Sequence, residues 1–243
     1  SSVLNILWKE VAEANFSGDL EKVQRLYERT NRALFVIGAL ISGLFLPWTK
    51  DIINIMLGDK YVGGALAMSL MFLYPIHQSL GQVSGTMYLA TGLTRPYVVI
   101  TTCSMLLSSI LAYFLLATQD AIIPGFGLAS VGLALKMVLS QFVGVNILIW
   151  WMSRYRKWPF SFGYQLVGVL LFFSLGYASY FVSVSILPMN IYFLIKLFFS
   201  CCFYLPMSLL VIYYFPWLIG VGREEVKNSF ILVKALLQRF LPN

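Results

Sequence analysis

Charge is what this sequence has least of. Only 11% of its 243 residues are charged and 59% are hydrophobic, with a mean hydropathy of +0.80. A soluble domain is about 45–50% apolar and about 25% charged, so the composition excludes a soluble globule, a disordered chain and a coiled coil. Histidine occurs once and cysteine three times. Cys103, Cys201 and Cys202 all lie in apolar runs, without a CxxC pair or a histidine at ligand spacing. Neither a zinc site nor a disulfide framework follows, and the thiols are expected to pack as small apolar groups. There is no GxxxxGK[ST] and no HExxH, so a built-in ATPase, a metalloprotease centre, a cofactor and a catalytic residue set are not expected. The chain opens Ser1-Ser2-Val3-Leu4 without a signal-peptide pattern, and a natural segment ahead of it is expected.

Long apolar runs are what the sequence has instead. A helical span needs about 20 mainly apolar residues. Six stretches qualify: 33–48, 63–90, 96–117, 127–152, 165–187 and 191–214. The runs are continuous rather than alternating, and an open sheet cannot satisfy its backbone in lipid. The expected fold is therefore all-α, a polytopic bundle of six spans over 33–214. Residues 1–32 are expected to be a cytoplasmic polar helix after the remnant of a preceding span, and 215–243 a cytoplasmic amphipathic helix on the bilayer surface.

Local signals refine this. Gly18-Asp19 interrupts the N-terminal segment, with Asp19 as a helix cap. Leu20, Val23, Tyr27, Thr30 and Leu34 follow on one face. Pro47 ends or kinks the first span, and Gly58 stops a short apolar segment at 51–57. Gly81 and Gly85, and Gly125, Gly127 and Gly132, permit close helix packing. Trp150, Trp151 and Trp158 fit an interfacial belt.

The basic residues divide unevenly. Thirteen fall in 1–32, at Arg95, at Arg154/Arg156/Lys157 and in the tail; Lys50 and Lys60 fall on the other side. That bias orients both termini to the cytoplasm of a cell membrane. The +7 net charge is thus an orientation signal, and no nucleic-acid partner is expected.

Three ionisable residues lie inside spans: His77, Lys136 and Lys196. Such groups are costly in a bilayer and are candidate functional sites. No Asp or Glu accompanies them, so a pathway lined this way favours an anion. Lys136 lies nine residues into its span, about 13 Å deep, with Gln141 and Asn146 following. It is an anion-binding lysine on a polar cavity, or a snorkelling lysine on a helix with shifted bounds. His77 follows Pro75, which kinks its span, and Gln78, Gln82, Ser84 and Thr86 continue the polar stretch. Gln78, Gln82 and Gln141 are candidate substrate-binding residues beside Lys136. His77 is a candidate ion-coupling group or a histidine hydrogen-bonded between helices. Lys196 is expected to snorkel to the outer interface.

Residues 7–97 carry a family resemblance. LWKEVAEANFSGDLEKVQRLYERTNR (7–32), IINIMLGDKYVGGA (52–65) and LATGLTRPY (89–97) resemble the C-terminal half of polysaccharide and O-antigen lipid flippases of the Wzx type. These belong to the MOP superfamily, with MATE transporters and the MurJ lipid II flippase. GFGLASVGLAL (125–135) resembles that family's small-residue helix start; beyond about 160 only hydropathy agrees. The resemblance implies two six-helix bundles around a central cavity, with this chain as the second and a missing N-terminal bundle as partner. It also implies transport of a polyprenyl-pyrophosphate-linked oligosaccharide by alternating access, among membrane lipids and beside polysaccharide polymerase machinery. A MATE-type drug or cation antiporter is the main alternative, although such proteins need intramembrane carboxylates. A membrane glycan polymerase and a non-transporting scaffold are the others.

Overall fold

The computed structural model describes residues 2–188, 192–222 and 224–225. Every regular element among them is helical. Among the described residues five helical segments are long and apolar enough to cross a membrane, so the described chain is a helical, multi-pass membrane protein. α1 (Ser2–Phe16) is followed by a turn at Gly18, whose φ of +78° suits glycine. α2 (Leu20–Phe45) starts where the Asp19 carboxylate accepts the main-chain N–H of Lys22 at 2.9 Å. It ends at Pro47 in a 3₁₀ turn (Leu46–Trp48) that leads into α3 (Thr49–Leu57). Gly58 then stops the chain at φ +90°.

The stretch 63–90, expected as one span, is divided. A 3₁₀ segment (Asp59–Gly64) and α4 (Ala65–Met71) precede an interruption of the hydrogen-bond ladder at Phe72 and Leu73, which keep right-handed helical backbone angles, and α5 (Tyr74–Ala90) follows. Proline offers no N–H and its ring crowds the preceding turn, so Pro75 sits in the first turn of a new helix. The main-chain carbonyl of Phe72 at the break accepts the Ser42 hydroxyl of α2. Such internal partners are what a broken helix at membrane depth requires. Neither α4 nor α5 alone is long enough to span, which is why five segments rather than six meet that measure.

α6 (Thr94–Leu116), α7 (Ala129–Arg156), α8 (Gly163–Ile186) and α9 (Phe193–Tyr214) lie within a few residues of the expected spans. The loop after α6 folds back on it. Phe126 N–H donates to Phe114 C=O and Gly127 N–H to Ala117 C=O, both at 2.8 Å, which satisfies carbonyls that a helix C-terminus leaves open. Of the expected interfacial helix at 215–243, residues 223 and 226–243 lie outside the described residues; Pro216–Ile219 form a 3₁₀ turn.

Neighbouring helices follow the order α9, α8, α2, α5, α7, α6, with α1 across α2 and α5. α2 is central and buries Val23, Tyr27, Asn31, Phe35 and Ala39 at four-residue intervals. This stripe passes through Asn31 and Phe35 rather than through the expected Thr30 and Leu34. α2 and α8 meet at Gly43 and Gly176, where a Cβ on Gly176 would coincide with the Gly43 carbonyl. At the outer edge, α6 buries only Leu115 and turns Val98, Leu106 and Ile110 outward, as suits a lipid-facing helix.

One end of the bundle gathers the basic segments. Arg156 donates to the Asn15 side chain at 2.9 Å, Arg32 donates to the Trp217 carbonyl at 2.7 Å, and Arg29 lies 3.4 Å from the Glu225 carboxylate. The N-terminal region, the connection after α7 and the start of the tail therefore share that end, beneath a core of Val11, Tyr27, Met87, Tyr88 and Met152.

Candidate functional site

A cavity of about 720 Å³ opens between α5, α6 and α7. Its α5 wall is Tyr74, Gln78, Gly81 and Gln82; its α7 wall includes Lys136, Ser140, Gln141 and Gly144. Both sets recur at helical spacing, so each presents one face. α6 supplies Tyr97, Thr101, Ser104 and Ser108, at intervals of four, three and four. Lys136, Gln78, Gln82 and Gln141 thus line one space, although they come from α5 and α7 positions up to 63 residues apart in sequence.

Lys136 is the only charged side chain on this lining. It is half-buried, and among the described residues no carboxylate lies within ion-pair distance of it. α7 begins at Ala129, two residues later than expected, which puts Lys136 about 10 Å along the helix axis. Ser140 follows one turn on, and its hydroxyl is buried without a hydrogen-bond partner. From Lys136 to Leu148 the lining runs about 18 Å along α7. A half-buried ammonium beside an unsatisfied hydroxyl makes a place of positive potential with hydrogen-bonding walls. It suits an anionic group attached to a polar one.

The glutamines differ in how far they are committed. Gln82 is exposed and Gln78 half-buried. Gln141 donates to the main-chain carbonyl of His77 at 3.3 Å. It lies over Gly81, where a Cβ would stand 2.7 Å from its amide nitrogen. Gln141 is thus both cavity wall and bracket between α7 and α5.

His77 is not on the cavity lining. It is buried, with Nε2 3.2 Å from Gln165 Oε1 of α8, and its ring stands edge-on to Phe142. Gln165 donates to Asn146 Oδ1 at 3.1 Å. The result is a buried polar cluster joining α5, α7 and α8 behind the cavity wall, with His77 Nδ1 unpartnered. Lys196 lies in the first turn of α9, near the end of the helix.

Sequence reasoning did not pick out the α6 face or Ser140. Their signal is present: Thr101, Ser104 and Ser108 form a polar stripe on an otherwise apolar helix. The Gly81–Gly85 pair does allow close approach, with Gly85 facing the Tyr97 hydroxyl and Gly81 facing Gln141.

No protein-family model, no curated protein and no solved structure matches the chain. What the fold and the cavity define is a class: a multi-pass helical membrane protein with a polar groove among its helices, lined by one charged side chain, Lys136.

Proposed function

We propose that this chain is the second bundle of a flippase. It moves a polyprenyl-pyrophosphate-linked oligosaccharide across a cell membrane for polysaccharide or O-antigen assembly. The observation that carries the reading is the α5–α6–α7 cavity with Lys136 as its sole charge. Lys136 attracts the pyrophosphate, and the hydroxyls and glutamines beside it meet the sugars. The polyprenyl chain stays in lipid, along the open edge where α6 is exposed. A cation antiporter needs carboxylates in its pathway, and none lines this one.

In this reading α4 and α5 together make the sixth crossing. Discontinuous helices are a recurrent feature of transporter binding sites, and the break at Phe72–Leu73 directly precedes the cavity residue Tyr74. The basic end faces the cytoplasm. As the family resemblance of residues 7–97 implies, a partner bundle closes the cavity from the opposite side, and alternating access follows from rocking the two bundles. His77 acts behind the wall: its bond to Gln165 ties α5 to α8, and a change in its protonation would alter that tie.

The test is export by the intact transporter. Lys136→Ala should abolish surface polysaccharide at unchanged protein level, and Lys136→Arg should keep most of it. Normal export by Lys136→Ala would refute the anion site.

A further inference from the structure

A second, smaller cleft of about 130 Å³ lies at the basic end, between α2, the end of α7 and the connection into α8. It does not share a lining residue with the Lys136 cavity. Its walls combine both charges. Glu28 and Arg32 are one turn apart on α2, a spacing at which such residues commonly pair. Here no ion pair joins them among the described residues. Arg32 is held elsewhere: it donates to the Trp217 carbonyl at 2.7 Å, and its guanidinium lies 5.1 Å over the Tyr164 ring. A carboxylate and a guanidinium thus border the same small space with the gap between them open.

Asn31 lies between them and is 4% exposed. Its Oδ1 is buried and accepts no hydrogen bond from the described residues. A buried acceptor left without a donor costs about 1–3 kcal/mol. Ser153, also buried, adds a hydroxyl on the α7 side. Tyr27 and Trp158 form an aromatic wall, with ring centroids 6.1 Å apart, and such faces attract an ammonium.

We infer that this cleft binds a phosphoethanolamine group. The primary ammonium meets Glu28, donates to Asn31 Oδ1 and faces the aromatic wall; the phosphate meets the free guanidinium N–H groups of Arg32 and the Ser153 hydroxyl. A bare anion would be repelled by Glu28. A quaternary ammonium has no N–H for Asn31. A cavity of this volume holds about four waters' worth of matter, which matches a two-carbon amino phosphate. Its position at the helix ends, among the basic residues, is the level of lipid headgroups.

Phosphatidylethanolamine and soluble phosphoethanolamine share this chemistry, and one experiment separates them. The full chain, purified in detergent, is mixed with equal amounts of dioleoyl phosphatidylethanolamine, phosphatidylcholine and phosphatidylglycerol, and the lipid retained is read by native mass spectrometry. Phosphatidylethanolamine should be retained about tenfold over the other two, the worth of one charge-assisted hydrogen bond. Glu28→Gln, whose side-chain oxygen can still accept from Gln24 as Glu28 does at 2.8 Å, should remove the preference: phosphatidylethanolamine retention falls, and phosphatidylglycerol, relieved of the repulsion, is retained at least as well as before. If soluble phosphoethanolamine displaces the lipid at equal concentration, the group alone is recognised; if it does not, the lipid is the ligand. Should Glu28→Gln not stay monodisperse, Trp158→Leu serves the same purpose. Equal retention of the three lipids, or an undiminished preference in a monodisperse variant, overturns the assignment. Neither result bears on the Lys136 cavity.

Discussion

Gln141 of α7 donates its side-chain amide to the main-chain carbonyl of His77 on α5, across 3.3 Å. This one bond links the front of the cavity wall to the buried cluster behind it. On the front, Gln141 borders the space that Lys136 lines. On the back, His77 engages Gln165, which engages Asn146. Gly81 makes the arrangement possible, because any larger residue there would occupy the place of the Gln141 amide.

That arrangement predicts coupling between Gly81 and Gln141. Gly81→Ala should destabilise the protein by about 1 kcal/mol or less, because the displaced Gln141 amide is the end of a flexible side chain and the gain in helix propensity offsets part of the crowding. Gln141→Ala should cost about 1 kcal/mol for the lost bond. With the long side chain gone, the double variant should be more stable than the two single losses predict. Equilibrium unfolding in detergent measures the cycle; strict additivity would show that the two residues do not touch.

Gly43 and Gly176 form the crossing of α2 and α8, and the atoms that a Cβ on Gly176 would meet first are all main-chain atoms of Gly43. Gly176→Ala should therefore be among the most damaging single-methyl additions in the chain, at about 3 kcal/mol or more. Gly63→Ala, where a Cβ meets nothing within 4 Å, is the control and should be near neutral. Similar melting temperatures for both variants would contradict the crossing.

The broken helix gives a third expectation. Ser42→Ala removes the donor to the Phe72 carbonyl and should cost about 1 kcal/mol. Pro75→Ala restores the missing N–H, favours a continuous helix across Phe72 and Leu73, and should slow transport while the protein remains folded. Hydrogen exchange of the 72–76 amides reports the change directly. Unaltered exchange and transport in Pro75→Ala would remove any role for the break.

Much of this fold is legible in the sequence, because apolar run length alone sets where helices cross a bilayer. α6, α8 and α9 begin and end within a few residues of their runs. Pro75 announces a disturbance, but not where the carbonyls around it find their donors; the Phe72 carbonyl finds Ser42, 30 residues away. Lys136, Gln78, Gln82 and Gln141 stand out because polar groups are rare in such runs. Their shared cavity depends on α5, α6 and α7 being neighbours, which hydropathy does not encode. His77 illustrates the limit most sharply. It is next to Gln78 in the chain, but 100° of helical rotation turns it to the other side, toward a glutamine 88 residues on. Gly43 and Gly176 look like any glycines in a membrane helix until their partner is known.

Topology offers a fourth prediction. Cysteine placed at Gln119 or at Lys157, both exposed at opposite ends of the bundle, in a protein lacking Cys103, Cys201 and Cys202, should react with a membrane-impermeant maleimide from opposite faces. Lys157 should label only from the cytoplasm. Reaction of both positions from outside intact cells would refute the orientation derived from the basic residues.

The central claim, that Lys136 makes the α5–α6–α7 cavity an anion site, is tested most directly by binding. The full chain in lipid nanodiscs is titrated with undecaprenyl pyrophosphate and, in parallel, with undecaprenol, which has the same tail and no charge. The wild-type chain should prefer the pyrophosphate by at least about tenfold, since a hydrogen bond to a charged group is worth about 1.5–3 kcal/mol. Lys136→Arg should keep the preference and Lys136→Ala should lose it, with undecaprenol binding alike in all three. Equal pyrophosphate binding by the wild type and Lys136→Ala would contradict the account.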